Sequence, residues 1–341
     1  MTAEIDRSSG SPAEPLAEQG PKGWRRFINN PFVKWGVVLL VLVVLVATWD
    51  LARKALVFGL AEEAPLALAA VGFALLYRLT GLINVAYAET VTLGAYIGMW
   101  INTTFNMNFY LTLIPATLLS GLLSVATYFA FFRPAKQRNM GAVEMIILSF
   151  GLSIFLRYGL QFIFGYEQRY YDVPFQNPIR VLGLGVPPFR VFALGSVLAI
   201  ALLLYWFIQK TRLGIQIRAL AGDEKLAQVS GINPLAVTVL IWFVAGMAGG
   251  AAGAFYGVNT SCRPWLGWDQ FLFLLLVVLI GGAKGIGGVI IAGLATGVSL
   301  SFLQLVPGLN SQALYANVIV IALFMVILKV RGNRLAEAGK V

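Results

Sequence analysis

The sequence contains no histidine and only one cysteine, Cys262. These absences exclude a His/Cys zinc site, a histidine-based catalytic triad, haem ligation by histidine and an internal disulfide. Charged residues make up 12% of the 341 residues, and 59% are hydrophobic. Several apolar runs reach the roughly 18–20 residues that cross a bilayer as a helix. The composition therefore excludes a soluble enzyme and indicates an integral membrane protein.

Ten apolar runs are separated by charged or Pro-, Gly- or Asn-rich breaks. The predicted spans are 35–51, 56–79, 84–101, 110–132, 143–164, 191–209, 235–258, 269–282, 286–306 and 313–330. An even number of spans puts both termini on one side, and that side then carries most of the 25 Lys and Arg residues. Because cytoplasmic loops are enriched in basic residues, both termini are predicted to be cytoplasmic. The predicted fold class is an all-α polytopic membrane protein with about ten transmembrane helices.

The predicted organisation follows the distribution of these runs. It consists of a disordered cytoplasmic tail at 1–34, an N-terminal transmembrane anchor at 35–54, a membrane core at 55–330 and a cytoplasmic tail at 331–341. The first apolar run begins too late and is too long for a cleaved signal peptide, so it is interpreted as a retained anchor. The long external loop at 165–190 is either an ordered surface loop or a docking surface or cap over the pathway.

Polar side chains interrupt the third predicted span. They are Asn84, Tyr87, Glu89, Thr90 and Thr92. A carboxylate at membrane depth costs several kcal/mol unless it is paired, protonated or facing a wet cavity, so Glu89 is a candidate pathway residue. We expect Glu89 to face a translocation cavity together with Asn84 and Tyr87. The alternative is that the span begins later and Glu89 is an interfacial anchor or caps a helix.

One basic residue, Arg157, lies near the centre of a predicted span rather than at its end. It either lines the pathway or pairs with Glu89, because a buried cation needs a partner. The alternative is that Arg157 snorkels to the outer headgroups with Gln161 one turn further on.

Glycines organise the second half of the chain. Gly249, Gly253 and Gly257 recur every four residues, so they share one helix face and allow another backbone to approach closely. This face is either a sliding surface between transport states or a plain packing contact.

A second glycine run contains Gly281, Gly282 and Gly285. The run matches neither common phosphate-loop signature and sits between two apolar spans. A tight cytoplasmic turn between closely packed helices is therefore predicted.

The longest internal loop, 210–234, is predicted to form a helix, a break and a second short helix. The first helix carries an apolar stripe of Leu213, Ile217 and Leu220. Asp223 is suited to cap the second helix, and Gly231 is suited to follow its end. The element either docks into a groove on a partner protein, with Leu226 and Val229 as anchors, or lies on the anionic leaflet.

Three segments in this order resemble the permease family of branched-chain amino acid ABC importers. Segment 81–96 resembles the signature Gly-x-x-Asn-x-Ala-His-Gly-Glu-x-x-x-Leu-Gly-Ala-Tyr, 211–232 resembles the loop that couples to the ATPase, and 281–293 resembles a Gly-Gly-x-Gly-x-x-x-Gly segment. The likeness extends over about 55–329. The chain departs from the family at Tyr87-Ala88, where His-Gly is usual, and at Gly214-Ile215-Gln216, where Gly-Arg-Ala is usual.

The resemblance assigns roles to residues of both loops. It puts Asn84, Ala86, Glu89, Leu93, Gly94 and Tyr96 on the pathway-lining motif. It puts Arg218, Ala219, Asp223, Ala227 and Gly231 on the coupling loop. Together with the side chains identified above, the predicted pathway set is Asn84, Tyr87, Glu89, Thr90, Thr92 and Arg157. The predicted coupling set is Arg212, Arg218, Asp223, Leu226, Ala227, Val229 and Gly231.

The resemblance implies a permease subunit of a bacterial inner-membrane importer for branched-chain or other neutral amino acids. The implied partners are ABC ATPase subunits, a second permease subunit, a periplasmic substrate-binding protein and membrane lipid, with no nucleic acid. The resemblance further implies that the chain is not itself an enzyme and binds no metal or cofactor. ATP and Mg would be bound by the partner ATPase. Two alternatives stay open: a urea or short-amide permease, and a self-contained ion-coupled transporter or channel with Glu89 and Arg157 as charge relay.

Overall fold

The computed structural model describes residues 49–306, apart from 175, 283 and 284, and residues 317–326. The predicted tails, 1–34 and 331–341, and the first predicted span up to residue 48 lie outside the described residues. The last predicted span is described only at 317–326.

The described chain is almost entirely helical. Its helices are α1 Trp49–Thr80, α2 Tyr87–Phe105, α3 Phe109–Thr127, α4 Arg133–Gln137, α5 Ala142–Phe164, α6 Pro188–Lys210, α7 Arg212–Gly222, α8 Glu224–Val229, α9 Pro234–Asn259, α10 Leu266–Gly281, α11 Ile286–Leu305 and α12 Asn317–Val326. A π-helical turn, Tyr128–Phe132, joins α3 to α4. In the external loop, β1 Ile179–Val181 pairs antiparallel with β2 Leu184–Val186. This hairpin and an isolated antiparallel bridge between Arg169 and Cys262 are the β-structure of the described ranges.

Six helical stretches in the described part are long and apolar enough to cross a membrane. They are Trp49–Thr80, Phe109–Gln137, Ala142–Phe164, Pro188–Lys210, Pro234–Asn259 and Ile286–Leu305. The apolar helices α10 and α12 are shorter. The protein is therefore a polytopic α-helical membrane protein, whereas the count of ten spans and the orientation stay predictions.

The loop predicted at 52–55, after the first span, is helical in the described chain. Helix α1 continues without interruption through residues 52–55, so Arg53 and Lys54 lie on a helix rather than in a loop. Their charges ended the apolar run in the sequence, but a charge on a helix does not break its backbone hydrogen bonds. Arg53 instead donates to the Leu182 carbonyl at 2.9 Å, which links α1 to the external hairpin.

Helices α2 and α9 pack against each other backbone to backbone. A Cβ atom added at Gly253 would overlap the Val91 carbonyl oxygen of α2, and one added at Gly94 would overlap the Gly250 backbone. A Cβ atom added at Gly249 would lie 3.1 Å from the Tyr87 hydroxyl of α2. Small residues permit such close contacts. In a membrane the hydrophobic effect does not drive helices together, because lipid tails are apolar too, so this close packing stabilises their association.

The same principle joins α1 and α10 to α11. Gly293 meets the Ala67 backbone of α1, where an added Cβ would lie 2.6 Å from the Ala67 Cα. Gly281 meets Val289 across the turn from α10 to α11, also at 2.6 Å. Gly282 has φ +80°, a left-handed conformation that glycine adopts without steric penalty. Gly285 has open space around its Cα.

Gly253→Leu is expected to destabilise the assembled protein by about 1–3 kcal/mol or more, because the side chain has to enter a contact between two backbones. Gly195→Leu is the matched control, since Gly195 is a helical glycine with no atom within 4 Å of an added Cβ. Yield and melting temperature in detergent measure the difference. Equal values for the two variants would contradict the packing role of Gly253.

Candidate functional site

The predicted pathway residues follow a short irregular segment between α1 and α2. Gly81, with φ +67°, ends α1, and the chain then turns so that the Asn84 carbonyl accepts from the Tyr87 N–H at 3.2 Å. The Val85 N–H donates to the Ser149 hydroxyl of α5 at 3.1 Å. This geometry directs the first turns of α2 into the protein interior.

Glu89 and Arg157 form a fully buried ion pair. The Arg157 Nη2 lies 2.5 Å and its Nε 3.1 Å from the Glu89 Oε1. The Ser153 hydroxyl donates to the same oxygen at 2.9 Å. The side chains of Glu89 and Arg157 are 0% and 5% exposed, so the low-dielectric surroundings make the pair depend on both partners.

Two tryptophans contact the guanidinium of Arg157. Trp268 lies on α10, and Trp265 lies directly before that helix. The Arg157 Cζ lies 4.6 Å from the centre of the Trp265 ring and 4.4 Å from that of Trp268. Desolvated cation–π contacts of this kind are worth about 2 kcal/mol or more. The snorkelling alternative for Arg157 is therefore wrong, and the pair ties α2 and α5 to the start of α10.

The ion pair is separate from the cavity that the other pathway residues line. A small cavity of about 10 Å³, here called the Asn84 cavity, is lined by Leu76, Asn84, Ala86, Tyr87, Thr90, Leu93, Leu123, Ser124, Thr127, Leu156 and Trp242. Glu89 does not line it, so the expected grouping of Glu89 with Asn84 and Tyr87 around one cavity does not occur in this structure. Thr92 also points elsewhere, because its hydroxyl accepts from the Gly267 N–H at 3.0 Å.

A larger cavity lies between the Asn84 cavity and the internal loop. This vestibule has a volume of about 310 Å³ and is lined by Leu79, Thr80, Leu82, Tyr128, Phe132, Lys136, Met140, Ala142, Met145, Leu220, Glu224, Thr238 and Trp242. Lys136 and Glu224 form an exposed ion pair of 2.7 Å at its rim. Trp242 lines both the vestibule and the Asn84 cavity.

The internal loop has the predicted helix–break–helix form, but its apolar stripe faces inward. Ile217 and Leu220 are buried against the rest of the chain, and Leu213 is half-buried. Neither a partner groove nor a membrane surface is needed to cover them. The stripe itself is therefore covered by the chain's own packing, because sequence periodicity identifies an apolar face without identifying what covers it. The two alternatives for what the whole element contacts, a partner groove or the anionic leaflet, stay predictions.

The start of α7 is fixed rigidly to the end of α6. The Thr211 hydroxyl donates to the Phe207 carbonyl at 2.5 Å and accepts from the Gly214 N–H at 3.2 Å. Arg218 donates to the Ile208 carbonyl at 2.6 Å, and a Cβ at Gly214 would overlap the same carbonyl. These contacts satisfy the free carbonyls at the end of α6. Arg218 therefore stabilises the corner between α6 and α7, whereas Arg212 is exposed.

Helix α8 presents two apolar side chains to solvent. Leu226 is 66% and Val229 86% exposed, whereas Ala227 between them is buried. Asp223 caps the helix by accepting from the Leu226 N–H at 3.0 Å, and Gly231 follows its end with φ +83°. The caps are as predicted, and the exposed pair is a defined apolar patch on the internal loop.

Two carboxylates of α1 were missing from the predicted set. Glu62 pairs with Arg190 at the start of α6, and Glu63 accepts from the Tyr256 hydroxyl at 3.1 Å. The signal was present in the sequence as two adjacent carboxylates inside an apolar run. Trp242 was also missed, since a single tryptophan in an apolar span is usual.

Buried polar residues on helices of a polytopic membrane protein, next to internal cavities, are typical of a transport protein. Residues 55–328 match the family described as branched-chain amino acid transport system / permease component. The match covers well over half of the chain, and the protein belongs to this permease family.

Individual relatives agree with the family. The chain is 28% identical over 250 residues to the high-affinity branched-chain amino acid transport system permease protein LivH of Salmonella typhimurium, covering 68% of this chain and 80% of the relative. It is 24% identical over 245 residues to a probable LivH of Methanocaldococcus jannaschii, covering 70% and 76%. The galactose/methyl galactoside import permease protein MglC of Haemophilus influenzae is 33% identical over 151 residues, covering 40% and 44%. No solved structure matches the chain.

Glu89→Gln and Arg157→Gln are each expected to destabilise the protein by about 3–5 kcal/mol, because each leaves the other charge buried and unpaired. The double variant should be less destabilised than the more damaging single variant, since no unpaired charge remains. Lys136→Gln, which breaks an exposed ion pair, is the control and should change stability by about 1 kcal/mol at most. Denaturation in detergent checks these values, and additive effects of the two single variants would contradict the coupling.

Proposed function

We propose that this chain is the transmembrane permease subunit of an ABC importer that moves branched-chain or other neutral amino acids into the cytoplasm. The observation that carries the proposal is the exposed patch of Leu226 and Val229 on a capped helix, held by a rigid corner to a membrane-spanning helix. Such an element is suited to bind a groove on another protein and to transmit that protein's movement to the membrane helices. The names of the LivH relatives support branched-chain amino acids as the cargo.

The proposed topology has ten spans and both termini in the cytoplasm of a bacterial inner membrane. The distribution of Lys and Arg supports this orientation. It puts α7, α8 and the vestibule on the cytoplasmic side. The external hairpin and the start of α6 then face the periplasm, where a substrate-binding protein would dock.

The proposed mechanism couples ATP-driven movement of partner ATPase subunits to the membrane helices. The partner would hold Leu226 and Val229, and the corner of Thr211, Gly214 and Arg218 would pass the movement to α6. The Lys136–Glu224 pair would pass it to α4. ATP and Mg would bind the ATPase alone, and its differential affinity for the two states of the permease would shift the population between them.

The lining of the Asn84 cavity supports an aliphatic cargo. Its apolar residues include Leu76, Leu93, Leu123 and Leu156, next to the polar groups of Asn84 and Thr90. A urea or short-amide cargo would have less use for four leucines. A second permease subunit, identical or homologous, and a periplasmic binding protein complete the proposed complex.

The rival function, a self-contained ion-coupled transporter, would use Glu89 and Arg157 as a charge relay. Their mutual pairing at 2.5 Å and the two indoles around Arg157 argue against that role, because a relay group has to exchange partners. Import by the purified chain alone in liposomes, without ATP, would favour the rival.

Replacing both Leu226 and Val229 with Asp is expected to release the ATPase or to uncouple its hydrolysis from import, because two carboxylates would be buried unpaired at the contact. Both side chains are exposed in the isolated chain, so its fold should be unaffected. Co-purification with the ATPase and amino acid uptake into vesicles measure the two effects.

Gln228→Asp is the matched control, since it adds a charge to an exposed position of the same helix beside the apolar patch. It should retain both binding and import. Full ATPase binding and import by the double variant would mean that α8 is only a surface helix and would overturn the proposed coupling.

A further inference from the structure

One tryptophan lines both of the cavities on the internal-loop side of the protein. Trp242 on α9 lines the vestibule and the Asn84 cavity and is 3% exposed. Its ring packs against Phe132 and Tyr128, with ring centres 4.8 Å and 5.4 Å apart. Both of these aromatics belong to the π-helical turn, a feature that is frequent at functional sites.

The indole N–H of Trp242 is buried and has no hydrogen-bond partner among the described residues. Buried indole N–H groups usually find an acceptor, because an unsatisfied donor loses its hydration without compensation. The side-chain oxygen of Asn84, a residue that is 6% exposed and lines the same cavity, also lacks a partner within the described chain. One unsatisfied donor and one unsatisfied acceptor therefore belong to residues that line this cavity.

A ligand that satisfies both groups needs an acceptor and a donor close together. The carboxylate and ammonium groups of an α-amino acid provide this combination. The four leucines named above would then contact an aliphatic side chain. The Asn84 cavity, at about 10 Å³, holds no more than about one water molecule, so it has no room for an amino acid in this structure.

We propose that Trp242 is the inner gate between the Asn84 cavity and the vestibule, and that its indole N–H binds the carboxylate of an aliphatic amino acid whose ammonium group is bound by Asn84. The cargo part of this inference rests on the proposed function. The gate part rests on geometry alone. Rotation of the indole away from Phe132 and Tyr128 would join the two cavities and open the site toward the internal loop.

Thiol accessibility tests the gate, because Cys262 is the only cysteine and can be replaced in a Cys262→Ser background. Thr90→Cys puts a thiol in the Asn84 cavity, and Thr238→Cys puts one in the vestibule. Inside-out vesicles of the complete complex are treated with a charged methanethiosulfonate reagent. Thr90→Cys should react about tenfold or more slowly than Thr238→Cys, because labelling requires the gate to open.

Adding Trp242→Ala should bring the reaction rate of Thr90→Cys up to that of Thr238→Cys. Trp206→Ala is the matched control, since Trp206 is an exposed tryptophan of α6 and its loss should leave both rates unchanged. If Trp242→Ala fails to assemble, Trp242→Leu serves in its place, because it keeps apolar bulk without the width of the indole. Continued slow labelling of Thr90→Cys in an assembled variant would overturn the gate.

Trp242→Phe tests the hydrogen bond separately, because it keeps an aromatic ring in the gate and removes the N–H. Labelling of Thr90→Cys should stay slow, while ATP-driven leucine import falls about tenfold, the value of one hydrogen bond to a charged group. Import at the parental rate would overturn the ligand role of Trp242. A parental complex that imports no amino acid would instead refute the proposed function, and the labelling result would still decide the gate.

Discussion

The close contact between α2 and α9 is the constraint on which the rest of the structure depends. Helix α2 begins with polar residues and could not face lipid, so its backbone has to be surrounded by protein. The glycines at 94, 250 and 253 let the two helices meet without intervening side chains. This contact fixes Tyr87 and Thr90 beside Trp242, and it turns Glu89 toward α5. The Asn84 cavity and the ion pair, which both include residues of α2, therefore depend on this contact.

The buried ion pair and the cavity divide the polar residues of α2 into two kinds. The Oε1 atom of Glu89 accepts from Arg157 and Ser153, so the charge of Glu89 holds α2 and α5 together, although its Oε2 has no hydrogen-bond partner among the described residues. Asn84 and Trp242, which line the Asn84 cavity, each have one buried polar atom without a hydrogen-bond partner among the described residues. In a membrane protein a satisfied buried charge stabilises one arrangement of helices, whereas an unsatisfied polar atom in a cavity is free to bind a ligand or water. The cavity, rather than the Glu89 carboxylate, is therefore the candidate ligand site.

The corner between α6 and α7 connects the membrane helices to the internal loop. Thr211, Gly214 and Arg218 all contact the last carbonyls of α6, and these contacts connect α7 to α6. The apolar stripe of α7 packs inward at this corner, whereas the apolar side chains of Leu226 and Val229 on α8 are exposed. A movement applied to that patch would therefore reach both α6 and the rim of the vestibule. The same region contains the aromatic contacts of Trp242.

The sequence by itself determined the class of protein, most helix positions, the caps of α8 and the family, because hydropathy, cap residues and motif spacing are local properties. Only the tertiary structure decided that Arg157 pairs with Glu89, that the stripe of α7 faces inward and that Trp242 lies between two cavities. Residues 68 positions apart in the chain form the ion pair, and no local pattern specifies such a distance in space. An apolar or polar face is visible in sequence, but which surface covers it depends on how the helices pack.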